Sequence, residues 1–202
     1  MMKLYADLLE VLVPVIIVVV VVLVLVGLVA WVISMYNKLV KARNRVENSW
    51  AQIDVQLKRR FDLIPNLVET VKGYTKHEAD IFGEFAKARQ MYDTAKDANS
   101  VKAMAEADAN LNKALNIAVN AVQERYPELK ANANYQQLMD ELKDCENKIS
   151  YNRQFYNDTV LNYTNLKQLF PSNIIASMFK FEDKEYFKVE EVEQREAPKV
   201  SF

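Results

Sequence analysis

The residues His77-Glu78-Ala79-Asp80 carry the first half of a zinc-binding helix, a histidine followed by an acid able to act on a metal-bound water. The second histidine should follow four residues on, but that position is Ile81, and His77 is the only histidine in the chain. A carboxylate-bridged di-iron centre would need two Glu-x-x-His pairs, which one histidine cannot supply. Phosphate cradles need clustered glycines, whereas Gly27, Gly73 and Gly83 stand alone. Serine nucleophiles have no possible imidazole base other than His77. The one cysteine, Cys145, rules out an internal disulfide and falls on the apolar stripe of a helical pattern, where a structural thiol is expected. These residues assign no catalytic, cofactor-binding or metal site, and no cofactor.

Polar residues set into apolar stripes are the remaining candidates: Arg43, Glu78, Asp108 and Asn152. If two helices turn back on each other near residue 62, Arg43 and Glu78 come level and can neutralise each other, while Asp108 and Asn152 suit further cross-bundle polar contacts. Such contacts add register specificity more surely than stability. The run Lys58-Arg59-Arg60 is basic, but it has no interleaved aromatics and no recognition motif, so nucleic acid is not an expected partner. It reads as a solvated helix end, with cations favourably placed at a C-terminus.

The elements that must position these residues are few and long. The chain of 202 residues is half apolar and holds only 3 Gly and 5 Pro, too few turn formers for a many-stranded fold. Apolar residues recur at steps of three and four from Tyr36 through Leu39, Val46, Trp50, Ile53, Leu57 and Ile64. Pro65 is expected to end or sharply bend that helix, with a second one running from Leu67 through Val71, Tyr74, Phe85 and Tyr92 to Ala95. The run Lys96 to Ser100 breaks the pattern and offers Asn99 or Ser100 as an N-cap. A third helix extends from Val101 to Tyr126, stopped by Pro127. A fourth begins with Asn134 and Gln137 as a capping box and runs from Tyr135 to Phe170, stopped by Pro171. The expected fold is all-α, an N-terminal transmembrane helix continuous with a long antiparallel four-helix bundle over 36–170.

Residues 1–10 form a short N-terminal segment. From Val11 to Asn37 there is no charge, and the 23 residues VLVPVIIVVVVVLVLVGLVAWVI suffice to cross a bilayer, so 11–35 is expected to span, with Pro14 in the first turn. This run exceeds the core of a cleaved signal peptide. Trp31 and Tyr36 suit the interfacial aromatic belt, and Lys38, Lys41 and Arg45 suit lipid head groups. The excess of basic residues after the span over Lys3 before it places the short N-terminus outside and the bundle in the cytoplasm. Residues 171–187, with SNIIASMFKF, form a short helix and apolar segment that either caps the bundle or lies on the membrane surface. From Glu182 onward charge, Pro198 and loss of period predict a largely disordered stretch, with 188–202 as its acidic tail.

The stretch YNKLVKARNRVENSWAQIDVQLKRRFDLIPNLVETVKGYTKHE, with RQFYNDTVLNY at Arg153 to Tyr163 and FPSNIIA at Phe170 to Ala176, resembles the LemA family of bacterial membrane proteins. The resemblance covers about residues 30 to 187. It implies an N-terminal anchor in the inner membrane and a long helical bundle inside the cell, with kinship to magnetosome membrane proteins of the MamQ type and association with membrane metalloproteases of the HtpX type. The family brings no catalytic residues to carry over. Two functions follow as expectations: a self-associating, membrane-anchored scaffold that organises or shapes the membrane, or an adaptor for a membrane enzyme such as a metalloprotease. The partners expected are lipid, a second copy of the chain and a membrane protein.

Overall fold

The computed structural model describes residues 2–74 and 79–188. Among them six helices follow one another, in the order α1 (Met2–Lys72), α2 (Ala79–Asp97), α3 (Val101–Arg125), α4 (Pro127–Lys130), α5 (Ala133–Gln168) and α6 (Ser172–Met178), with no strand. The all-α expectation therefore holds, and the N-terminal apolar stretch lies within the same helix that supplies part of the bundle.

Both ends of α1 differ from the sequence reading. The helix begins at Met2, so Pro14 lies in its interior. Extending an existing helix costs far less than nucleating one, and the short segment before the apolar run simply joins it. At the other end α1 continues through Pro65 to Lys72. A proline there leaves the carbonyl of Phe61 without its helical donor. The Arg89 guanidinium of α2 fills that gap, its Nη1 donating to the Phe61 oxygen at 3.2 Å. The chain turns at Gly73 and Tyr74, so Leu67 and Val71 belong to the first helix, both buried.

The chain divides into two compact units, to both of which α1 and α5 contribute. The larger comprises Arg45–Leu161 with Lys184–Phe202. Here the antiparallel course of α1 and α2 is visible in side-chain pairs: Phe61 stacks on Tyr92 with centroids 4.2 Å apart, and Lys72 lies over the Phe82 ring. The antiparallel course of α1 and α5 shows in Ser49 with Thr159 and Arg59 with Glu141. The core takes Val46, Ile53, Leu57, Ile64 and Leu67 from α1, Phe85 and Tyr92 from α2, Met104, Leu111 and Val122 from α3, and Leu142, Cys145, Ile149 and Tyr156 from α5. Ser100 caps α3, accepting from the Ala103 amide at 3.2 Å. The cap of α5 is Asn132 and not Asn134: its Oδ1 accepts from Tyr135 N at 3.1 Å, because the single turn α4 delivers the chain two residues earlier than the capping-box pattern suggests.

The smaller unit comprises Met1–Asn44 and Asn162–Asp183. Its core is Leu39 against Ile175 and Ala176 of α6, flanked by Val32, Met35, Leu166 and Phe181. Tyr163 Oη donates to the carbonyl of Glu182 at 2.7 Å.

In the larger unit the chain after Asp183 is also held. Tyr156 Oη donates to the Glu185 carbonyl at 2.7 Å, and the Asn157 amide group both accepts from Phe187 N at 2.9 Å and donates to Phe187 O at 3.2 Å. The disorder expected from Glu182 onward thus does not apply up to Phe187, which is buried against Trp50. Charge composition alone misses this, because the tether is made by neutral side chains of α5 to backbone groups. The acidic tail over 189–202 lies outside the described residues.

Candidate functional site

Two places gather polar or interfacial residues. The first is a buried ionic cluster in the larger unit. On α1, Arg60 falls three residues after Leu57 and four before Ile64, so helical spacing turns it inward; its side chain is 3% exposed. On α3, Asp108 falls between Met104 and Leu111 and is equally enclosed. Arg60 Nη1 donates to Asp108 Oδ1 at 2.6 Å and pairs with Glu146 of α5, while Nη2 donates to Asn112 Oδ1 at 2.5 Å. Three helices are joined through one guanidinium. Burial pushes the Asp108 carboxyl above its usual range, and Glu146 adds to this, against the pull of the Arg60 charge.

Around this cluster the surface is charged in pairs. Arg59 reaches Glu141 at 3.4 Å and Asp144 at 3.8 Å. The Asp144 carboxyl sits below its ordinary range because it accepts from Lys148 at 2.8 Å, with Arg59 contributing. The neighbouring Cys145 thiol is buried, and burial pushes its pKa up, which makes it a packing group. Chemically the cluster is a clamp in which one cationic guanidinium is shared by two carboxyl groups. Its carboxylates are engaged by a guanidinium that has no proton to exchange at neutral pH. Among the described residues no three of His, Cys, Asp and Glu come together as a metal site.

Of the polar residues singled out in the sequence, Asp108 has the partner Arg60. Asn152 is half-buried and lines a shallow groove with Gln52, Val55 and Gln56. Arg43 is exposed and its guanidinium lies 5.8 Å from the centroid of Phe181. Glu78, its expected partner, lies outside the described residues, as does His77. The premise of that pairing, a turn near residue 62, does not hold, since α1 continues to Lys72.

The run Lys58-Arg59-Arg60 does not form a solvated helix end. It lies three turns before the end of α1, and Arg60 is buried. The signal was present in the spacing: Arg60 sits on the three-four stripe, a position that its charge made easy to overlook. Arg89 and Asn157 were also missed, since nothing local in the sequence reveals that a side chain will complete a distant backbone, and so was Asn112, whose partner is the buried Arg60.

The second place is the end of the apolar stretch. Every residue from Leu12 to Trp31 is exposed in the molecule, although these are Val, Leu and Ile almost throughout. Among the described residues α1 alone carries a stretch long and apolar enough to cross a membrane. Burial begins at Val32 and Met35, where α6 covers one side. Trp31 and Tyr36 are exposed there, Tyr36 with its ring 4.7 Å from that of Phe179 and 5.8 Å from that of Phe181. Lys38 and Lys41 follow on the exposed face, and Arg45, also exposed, opens the larger unit.

The chain is similar to magnetosome proteins MamQ 2 and MamQ 1 of Paramagnetospirillum magneticum (strain AMB-1), each 25% identical over 186 residues, with 81% of this chain and 68% of theirs covered. Magnetosome protein MamQ of Magnetospirillum gryphiswaldense is 23% identical over 185 residues, covering 80% of this chain and 68% of its own. With an apolar helix that fits a single-pass membrane protein, a helical bundle behind it, and a match to the LemA family model over residues 49–202, this chain belongs to the LemA family.

Proposed function

We propose that this protein is a non-enzymatic, membrane-anchored scaffold that associates with copies of itself and organises the bacterial inner membrane. One observation carries the reading: the exposed apolar residues Leu12 to Trp31 belong to the same helix that supplies Leu57, Arg60 and Ile64 to a bundle core. A bilayer supplies the cover that these side chains lack, and a helix satisfies its own backbone there. Lys38, Lys41 and Arg45 add attraction to anionic head groups, about 1 kcal/mol each, and their excess over the basic residues before the span supports a cytoplasmic bundle. Likeness to proteins named for the magnetosome is consistent with a membrane-organising role.

The test is the native mass of the full chain in a nanodisc or mild detergent. A defined multimer that persists on dilution is expected. A discrete monomer would overturn self-association, and a monomer that co-purifies in fixed ratio with a membrane enzyme would replace the scaffold by an adaptor.

A further inference from the structure

The turn after α5 and one face of α6 leave a contiguous set of large apolar side chains uncovered: Leu169, Phe170, Ile174, Met178 and Phe179, with Phe170 79% and Met178 65% exposed. Ile174 and Met178 stand one turn apart on α6, hence on one face. The other face of α6 is already engaged, Ile175 and Ala176 closing on Leu39 beside Val32 and Met35. That contact fixes the level of α6 along α1. Val32 is inside the uncharged run that ends at Asn37, six residues before Lys38, or about 9 Å of helix axis. An interfacial helix lies about 5–10 Å into the boundary between head groups and acyl chains, the same level.

We propose that α6 and the turn before it are a second membrane contact, seated in the head-group boundary of the leaflet from which α1 emerges. The occupant of the apolar face is the bilayer itself. The inference rests on α1 crossing the membrane, because only then does lipid surround Val32. Phe170 and Phe179 join Trp31 and Tyr36 as aromatic residues at the interface, where rings are favoured. Lys180, exposed at the end of α6, reaches toward the phosphates together with Lys38 and Lys41. Lys167 is engaged by Asp183 and takes no part. The chain then leaves through Glu182 and Asp183, whose charges suit the aqueous side.

The experiment uses the full chain with Phe170→Cys, Met178→Cys, Val20→Cys or Tyr151→Cys, each spin-labelled and reconstituted in nanodiscs of phosphatidylethanolamine and phosphatidylglycerol. Cys145 stays in place, and circular dichroism checks that helicity is unchanged. Collision with oxygen is compared with collision with a water-soluble nickel chelate. Labels at 170 and 178 are expected to favour oxygen several-fold over the label at 151, approaching the label at 20. If 170 and 178 match 151 while 20 remains lipid-like, the anchor stands and this proposal fails. If 20 also matches 151, the anchor reading fails and takes the proposal with it. A label at 170 or 178 shielded from both reagents and broadened by the same label on another molecule would mean that a second copy covers the face, which also overturns it.

Discussion

Arg89 Nη1 lies 3.2 Å from the carbonyl oxygen of Phe61, the acceptor that Pro65 cannot serve. The same guanidinium is 3.4 Å from Asp62, 3.2 Å from Asp93 and over the ring of Tyr92, so it is held in place by α1 and α2 together. A side chain from one helix completes the hydrogen-bond ladder of another. Arg89→Ala should cost about 1–3 kcal/mol, the range for stranding a partly buried acceptor. In a Pro65→Ala background the backbone regains its own donor, and the cost of Arg89→Ala should fall to less than half. A double-mutant cycle by urea unfolding reads the coupling; two additive single effects would show that Arg89 acts only through its surface pairs.

The Arg60 clamp should respond asymmetrically. Asp108→Ala deprives a buried guanidinium of its one enclosed carboxylate and is expected to cost about 3–5 kcal/mol, whereas Arg60→Met combined with Asp108→Leu should recover most of that loss. Glu146, 39% exposed, can turn to solvent in the double variant. Thermal midpoints of the two proteins decide it, and a double variant as unstable as the single one would contradict the account.

Cys145 should be inert in the folded chain. Its thiol is fully buried and its pKa is raised, chiefly by burial. At pH 8 an aromatic disulfide reagent is expected to modify it only as fast as the bundle opens, with full reaction in denaturant. Rapid modification of the native protein would count against the packing described.

Burial pushes Tyr92 up to about 12, with Asp54, Asp62 and Asp93 adding to the rise and Arg89 opposing it. Tyr156 also rises to about 12, by burial first and then Glu185. An unfolded tyrosine ionises near 10. Above that pH the unfolded chain sheds protons that the folded chain keeps, so stability present below about pH 10 declines as pH rises through about 12. Each two-unit shift contributes at most about 3 kcal/mol. The Tyr92 hydroxyl is buried without a hydrogen-bond partner, whereas Tyr156 has Glu185. Tyr92→Phe should therefore be neutral or slightly stabilising at pH 7, by up to about 1 kcal/mol, and should flatten the alkaline decline. Urea midpoints at pH 8 and pH 11 test both signs.

Much of this architecture is legible from spacing. The stripes of α3 and α5 place Met104, Leu111, Leu142, Ile149 and Tyr156 in the core because a period near 3.6 admits only one buried face. Proline rules give the end of α3 but not that of α1, since the outcome at Pro65 depends on Arg89, 24 positions away in the chain. Asp108 is recognisable as a polar residue on an apolar stripe. Its partner is marked only by spacing, which sets Arg60, and not Lys58 or Arg59, on the stripe of Leu57 and Ile64; which carboxylates it meets is decided by the register of three helices. The hold on Phe187 leaves no local trace either, for Tyr156 and Asn157 are ordinary helical residues until the chain returns beside them.

That hold has a consequence for how the molecule meets others of its kind. In an extended chain the backbone groups of residues two apart point to the same side, and the Asn157 amide offers Phe187 the donor and acceptor that a neighbouring strand would offer. With Tyr156 on Glu185, that side of the segment is sealed by a helix. A foreign strand finds these three backbone groups already taken, so copies crowded together on a surface gain a poorer template for cross-β growth from them.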